Sequence, residues 1–146
     1  MERKLTEQDG RQALRDHVID KATAARLEYG PDVDHQAILR MLNDRHVVRF
    51  PVDVAFDAQP LNPGEFAVAL PIGDAPSDGY RLFVHPCFEA RPDALPLLIA
   101  YHLVDVNYGE MATHEEAELF GATLLGMNVD SYYEAICQLA DSIPRA

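Results

Sequence analysis

Positive charge is the first thing this chain has little of. Its 146 residues carry 12 Lys and Arg against 24 Asp and Glu, a formal net charge of −12. A surface of that sign repels phosphate backbones, which argues against nucleic acid as a partner. The nearest basic stretch, Arg40 to Arg49, is interrupted by Asp44 and runs into an apolar segment. Cysteine is scarce too: Cys87 and Cys137 lie far apart and form no CxxC pair. One disulfide is open to them, but two buried thiols are the favoured reading. No apolar run reaches the ~18 residues of a membrane span, because the longest is cut by Tyr101, His102 and Asp105. Met1-Glu2-Arg3-Lys4 leads into a polar, amphipathic segment rather than the apolar core of a signal peptide. A soluble, cytoplasmic protein with no membrane partner is the expectation. There is no glycine-rich phosphate loop of the Walker or Rossmann type.

What remains is enough apolar material, 48% of the residues, for one domain with a real core. Thr6 reads as the cap of a helix reaching Tyr29 and stopped by Gly30-Pro31, with Leu14, Val18, Ala22, Ala25 and Tyr29 on one face. Asp34 caps a second helix, with Ala37, Ile38, Met41 and Leu42 inward. The period then changes. Val47 to Phe56 is β-branched and aromatic, with Pro51 marking an edge or a bulge. Glu65 to Leu70 and Tyr80 to His85 read as further strands, separated by turns at Leu61–Gly64 and Gly73–Gly79. Pro92 opens a central helix over about 92–108. Thr113 with Glu116 three residues on has the form of a capping box for a helix to Gly126. Asn128 or Asp130 caps a last helix ending before Pro144. The expected class is α+β: a small mixed or antiparallel sheet of three or more strands packed with helices, in the order α-α-β-β-β-α-α-α. The single domain divides into N-terminal helices over 1–45, a core over 47–127 and a C-terminal helix over 129–143.

The central helix holds the richest pattern. Leu97 to Val106 is apolar nearly all the way round, which places it in a core. Yet it carries His102 and Asp105 one turn apart, with Tyr101 beside them. Buried ionisable groups are costly unless paired or bound to a metal. The plain reading is that His102 and Asp105 hydrogen-bond each other, that His102 bonds a backbone carbonyl, or that Asp105 reaches solvent. The sharper reading adds His114 and Glu116 as a metal site of His/Asp/His/Glu type.

HExxH, the zinc-hydrolase motif that sets two imidazoles on one helical face, does not occur. Ala100-Tyr101-His102-Leu103-Val104-Asp105-Val106 nevertheless resembles a zincin helix of the form AHELVHV, agreeing at Ala100, Leu103, Val104 and Val106. Tyr101 stands at the first histidine, His102 at the glutamate and Asp105 at the second histidine. Downstream, His114 to Leu125 resembles the E-x-E-A-x-x-F-A-A-x-L-L segment of ImmA/IrrE-like metallopeptidases, through Glu116, Ala117, Phe120, Ala122, Leu124 and Leu125. The resemblance spans Val47 to Met127. It implies a zincin-like fold whose HExxH is degenerate, in which an acidic residue on this later helix supplies the third metal ligand.

Asp105 can ligate zinc through a carboxylate oxygen, whereas a neutral phenol at Tyr101 is a poor ligand and His102 takes the general-base position. The candidate metal residues are therefore Asp105, Glu116, His114 and His102, with His102 the one catalytic candidate and zinc the one cofactor in view. Three protein ligands are the usual minimum, so loss of the metal is favoured. A non-catalytic zincin-like protein binding a peptide or protein is the leading expectation. Its binding residues would be Tyr101, Glu65 and Phe66, the last two on the strand beside the helix. A metal-dependent hydrolase with atypical ligands is the alternative. A structural or assembly protein, as a homodimer through its terminal helices, is the third. His85-Pro86-Cys87 suggests a Cys/His nucleophile only by adjacency, and a structural role is favoured. His17, His35 and His46 read as solvated. Of Tyr132 and Tyr133, one ring belongs in the core and the other is free for an interface.

Overall fold

A computed structural model of the chain describes residues 6–144, and the Met1–Lys4 reading lies outside them. The class is α+β. Helix α1 (Glu7–Tyr29) begins at Thr6, whose hydroxyl accepts the Asp9 N–H at 3.1 Å while Asp9 accepts the Thr6 N–H at 3.0 Å. Its buried positions Val18, Ala22 and Ala25 are small, which lets it lie close against a later helix. Helix α2 (His35–Met41) is capped by Asp34 through the Ala37 N–H at 2.8 Å and buries Ala37, Ile38 and Met41.

Strand β1 is shorter than its composition suggests. It covers Val52–Phe56, whereas Val47 and Val48 sit in a turn, both donating their N–H to the Asp44 carbonyl. Their β-branched side chains fill the core instead of joining a ladder. Pro51 lies just outside the strand, and its carbonyl accepts the Tyr80 N–H at 2.8 Å. Strands β2 (Ala67–Pro71) and β3 (Tyr80–Val84) complete a three-stranded mixed sheet of order β1-β3-β2. β1 runs parallel to β3 and β2 antiparallel to it. The register sets Val52, Val54 and Phe56 beside Tyr80, Leu82 and Val84, and these beside Pro71, Ala69 and Ala67. Of that row, Val52, Ala67, Leu82 and Val84 are buried. The opposite face carries a two-pronged Arg81–Asp53 pair at 2.9 and 3.0 Å. Glu65 falls before β2, where its carboxylate accepts the Asn62 N–H at 2.7 Å and closes the preceding turn.

After a 3₁₀ turn at Pro92–Ala94, helix α3 (Leu95–Tyr108) runs through the centre of the molecule, with nine of its fourteen residues buried. It packs on α2, on β2 and on the two helices that follow. Asn107 ties it to the β1 approach by accepting the Arg49 N–H at 2.8 Å and donating to the Val47 carbonyl at 2.9 Å. Helix α4 (His114–Leu125) starts at Thr113 with the capping box complete. Helix α5 (Val129–Asp141) is capped by Asn128 rather than Asp130, through the Ser131 N–H at 2.8 Å. α4 and α5 meet where Tyr132 lies against Gly121; a β-carbon there would run into the ring. Tyr132 is the core tyrosine and donates to the Leu97 carbonyl at 2.6 Å, while Tyr133 is 52% exposed.

The expectation of buried thiols needs correction. Cys87 and Cys137 are free thiols but only half-buried, and Cys87 packs at the margin of the core. His17 is exposed, as expected, and its Nδ1 also meets the Tyr108 hydroxyl at 2.7 Å. Among the described residues no helix is long and apolar enough to cross a membrane.

Candidate functional site

The exposed margin of α3 presents Tyr101, His102 and Asp105. Phe66, the residue before β2, stands edge-on to both rings, 5.9 Å from Tyr101 and 5.5 Å from His102, and those two are 5.5 Å apart. Edge-on packing at these separations is the favoured aromatic geometry. It joins the central helix to the strand at the sheet margin.

The His102 side chain keeps only 12% of its surface in water. Neither ring nitrogen finds a hydrogen-bond partner among the described residues. Asp105 Oδ2 stands 3.6 Å from Nδ1, beyond hydrogen-bonding range. Asp105 is 58% exposed and leans into solvent, so the i, i+3 pair is only half made. An imidazole removed from water without a partner is uncommon and calls for a reason.

Tyr101 is half-buried. Burial pushes its phenol above the usual range, and the Glu118 and Asp105 carboxylates push it further. Glu118 is the site residue that sequence reasoning missed. It sits in the same acidic run as Glu116, and only the docking of α4 on α3 turns it toward Tyr101.

Glu116 goes elsewhere. It is fully buried, and its Oε1 accepts the Thr113 N–H at 2.9 Å, the Thr113 hydroxyl at 3.0 Å and the Arg11 guanidinium at 2.8 Å. Arg15 lies 3.9 Å from its Oε2 and pairs with Glu115 at 2.9 Å. The carboxylate thus caps α4 and pins α1 to it. His114 is exposed in the first turn of α4. Tyr101, His102, Asp105, Phe66 and Glu118 come together, while Glu116 is committed to α1. Among the described residues no three His, Cys, Asp or Glu side chains form a group able to hold a metal ion.

Glu65 and His85 line a cleft of about 780 Å³ between the β2 approach and the end of α5. His85 Nδ1 accepts the Cys87 N–H at 3.1 Å, so that nitrogen is engaged by backbone, and burial pushes the Cys87 thiol upward, away from the reactive thiolate.

The second component of the site is the free edge of β2. In an antiparallel pair, alternate residues turn their backbone groups toward the partner strand. The bonds His85 N–H to the Phe66 carbonyl and Ile72 N–H to the Gly79 carbonyl fix which ones these are. Phe66, Val68, Leu70 and Ile72 face β3. Ala67 and Ala69 therefore turn N–H and C=O away from β3; Ala67 is buried, so the open part of the edge is Ala69, with N–H and C=O, and Pro71, next in that series, with a carbonyl alone.

The chain matches no protein-family profile, no curated protein and no solved structure.

Proposed function

We propose that this protein is a non-catalytic, zincin-like binding module that takes an extended segment of a peptide or protein partner along the free edge of β2. The observation that carries this reading is the edge itself: the Ala69 N–H and C=O and the Pro71 C=O face away from β3, on the strand that follows Phe66 and its Tyr101 and His102 ring partners. Strand addition draws affinity from such backbone groups and selectivity from nearby side-chain surfaces. Edge strands are usually blunted against indiscriminate pairing, and Pro71 does this at one end only.

The alternative, a metal-dependent hydrolase using His102 and Asp105 with His114 or Glu116, is disfavoured by the commitment of Glu116 to Arg11 and Thr113. Pairing of β2 with the same edge of a second copy would make the protein an assembly unit, and light scattering reports that outcome.

The test is selection of extended peptides on the immobilised full chain by phage display, followed by titration against wild type and Ala69→Pro. Proline at an outward-facing edge position leaves the internal ladder intact, as Pro71 already illustrates. A loss of affinity of about tenfold or more in Ala69→Pro is expected, from one backbone bond removed and a ring placed in the partner's path. Peptides that bind Ala69→Pro as well as wild type would overturn the reading.

A further inference from the structure

A second surface carries positive charge with no carboxylate in its lining. Between the N-terminal half of α1 and the C-terminal end of α3 runs a groove of about 640 Å³. Its walls include His17, Phe50, Tyr80, Tyr108 and Met111, with Arg49 at its lip. Arg49 and His17 are the charged or chargeable side chains that line it, and no carboxylate does. In a chain with twice as many acids as bases, that is a local inversion.

Arg49 is not neutralised. Its side chain makes no hydrogen bond or ion pair among the described residues, and the guanidinium lies 5.2 Å over the Phe50 ring. Phe50 in turn meets Tyr80 at 6.0 Å. Stacking on a ring restricts a guanidinium without using its donors, which leaves the fork free for a carboxylate or phosphate. Burial pushes the ammonium of Lys21, one turn beyond His17 on α1, below its usual range, and the like charge of Arg49 adds to this. The acid beside Lys21 is Asp44, whose carboxylate already accepts the Tyr29 hydroxyl at 2.6 Å and the His46 N–H at 2.8 Å.

Across the groove, His17 of α1 and Tyr108 of α3 form a fixed unit, rings perpendicular and 5.4 Å apart. Burial raises the Tyr108 phenol to about 12, so it keeps its proton near neutral pH. The phenol can therefore donate to His17 Nδ1, which leaves Nε2 to carry the imidazole N–H as a second donor.

We propose that this groove is a binding site for a small anionic ligand with a flat or apolar body, an aryl carboxylate or aryl phosphate, whose anionic oxygens are held by Arg49 and His17 and whose body rests against Phe50, Tyr80 and Tyr108. Cavities of this size suit small ligands, and a few fixed polar groups on an apolar wall are their usual composition. The proposal is independent of peptide binding at β2.

The experiment is titration of the full chain with phenyl phosphate, benzoate, inorganic phosphate and benzylamine, followed by ¹H–¹⁵N NMR. Saturable shifts at Arg49, Phe50 and Tyr108 are expected with phenyl phosphate or benzoate. Comparing the two shows which anionic group is preferred, and comparing phenyl with inorganic phosphate isolates the contribution of the ring. Benzylamine should not saturate. Arg49→Gln should weaken anion binding about tenfold, the scale of one charge-assisted hydrogen bond. Ala13→Glu, which adds a carboxylate to the groove wall without touching Arg49, should weaken it as well. Absence of saturable anion binding overturns the proposal. So does equal binding of benzylamine, or wild-type binding by both folded variants.

Discussion

Glu116 and His102 sit on adjacent packed helices, both largely withdrawn from water, and they are treated in opposite ways. Glu116 is fully buried; its Oε1 takes donors from Thr113 and Arg11, while its Oε2 has no hydrogen bond and only the Arg15 charge at 3.9 Å. His102 keeps 12% of its side-chain surface exposed and has no partner at either nitrogen. A buried polar group that is satisfied serves the fold, and one that is not costs free energy. Stability accounts for Glu116. It does not account for His102, and an unsatisfied donor–acceptor pair beside an open strand edge is what a ligand-contacting side chain needs.

The largest effect should come from removing the group that is ion-paired and hydrogen-bonded through one oxygen. Glu116→Ala uncaps α4 and strips Arg11 of its partner. Breaking such a pair costs ~3 kcal/mol, toward the low end for buried pairs because Arg11 keeps access to water. Glu116→Gln keeps an acceptor for Thr113 but loses the charge, and should cost about half as much. Urea unfolding near neutral pH measures both. A cost below about 1 kcal/mol for the alanine variant would mean that the two helices hold without this carboxylate, and the contrast with His102 would lapse.

The opposite outcome is expected at His102. Replacing an unpartnered imidazole by an apolar side chain of similar size removes a desolvation cost and no bond, so His102→Leu should be neutral or stabilising by up to ~1 kcal/mol. The same urea experiment reads it. If His102→Leu also loses the peptides selected on wild type, the imidazole belongs to the partner and not to the core. A destabilisation of ~2 kcal/mol or more would mean that His102 is satisfied after all, and would move it into the class of Glu116.

This contrast marks where the sequence stops being readable. Thr113 and Glu116 announced a capping box, because the signature spans four consecutive residues and the bonds close within one helical turn. The all-round burial of α3 followed from Leu97 to Val106, and the mixed sheet from runs of β-branched residues bounded by Pro and Gly. Arg11 as the second partner of Glu116 was not legible, since 105 positions separate the two and nothing local encodes the docking of α1 on α4. Val47 and Val48 misled for a related reason. Strand propensity reflects a fit to half-buried surfaces, and a buried turn beside Asn107 satisfies it equally well. Glu118 was invisible as a neighbour of Tyr101 until α3 and α4 were set side by side.

The contrast extends to the tyrosines, where the expected effects are smallest. Tyr29 donates to Asp44 at 2.6 Å, and that bond raises its phenol to about 12 and holds the Asp44 carboxyl below the usual carboxylate range. Tyr101 is raised chiefly by burial and has no hydroxyl partner among the described residues. A phenol raised by folding contributes stability that is fully present below its unfolded value of about 10 and is lost as pH climbs toward its folded value. A carboxyl depressed by folding contributes above its unfolded value of about 4, and that contribution is lost as pH falls through its folded value. The unfolding free energy should therefore decline between about pH 10 and 12, and again below about pH 4. Tyr29→Phe removes both halves of the pair and should flatten both limbs. Tyr101→Phe should flatten the alkaline limb alone, because no carboxyl depends on a bond from its hydroxyl. Urea titrations of the two variants across this pH range make the comparison. An acid limb unchanged by Tyr29→Phe would show that Asp44 is held down by its bond to the His46 N–H and not by the phenol.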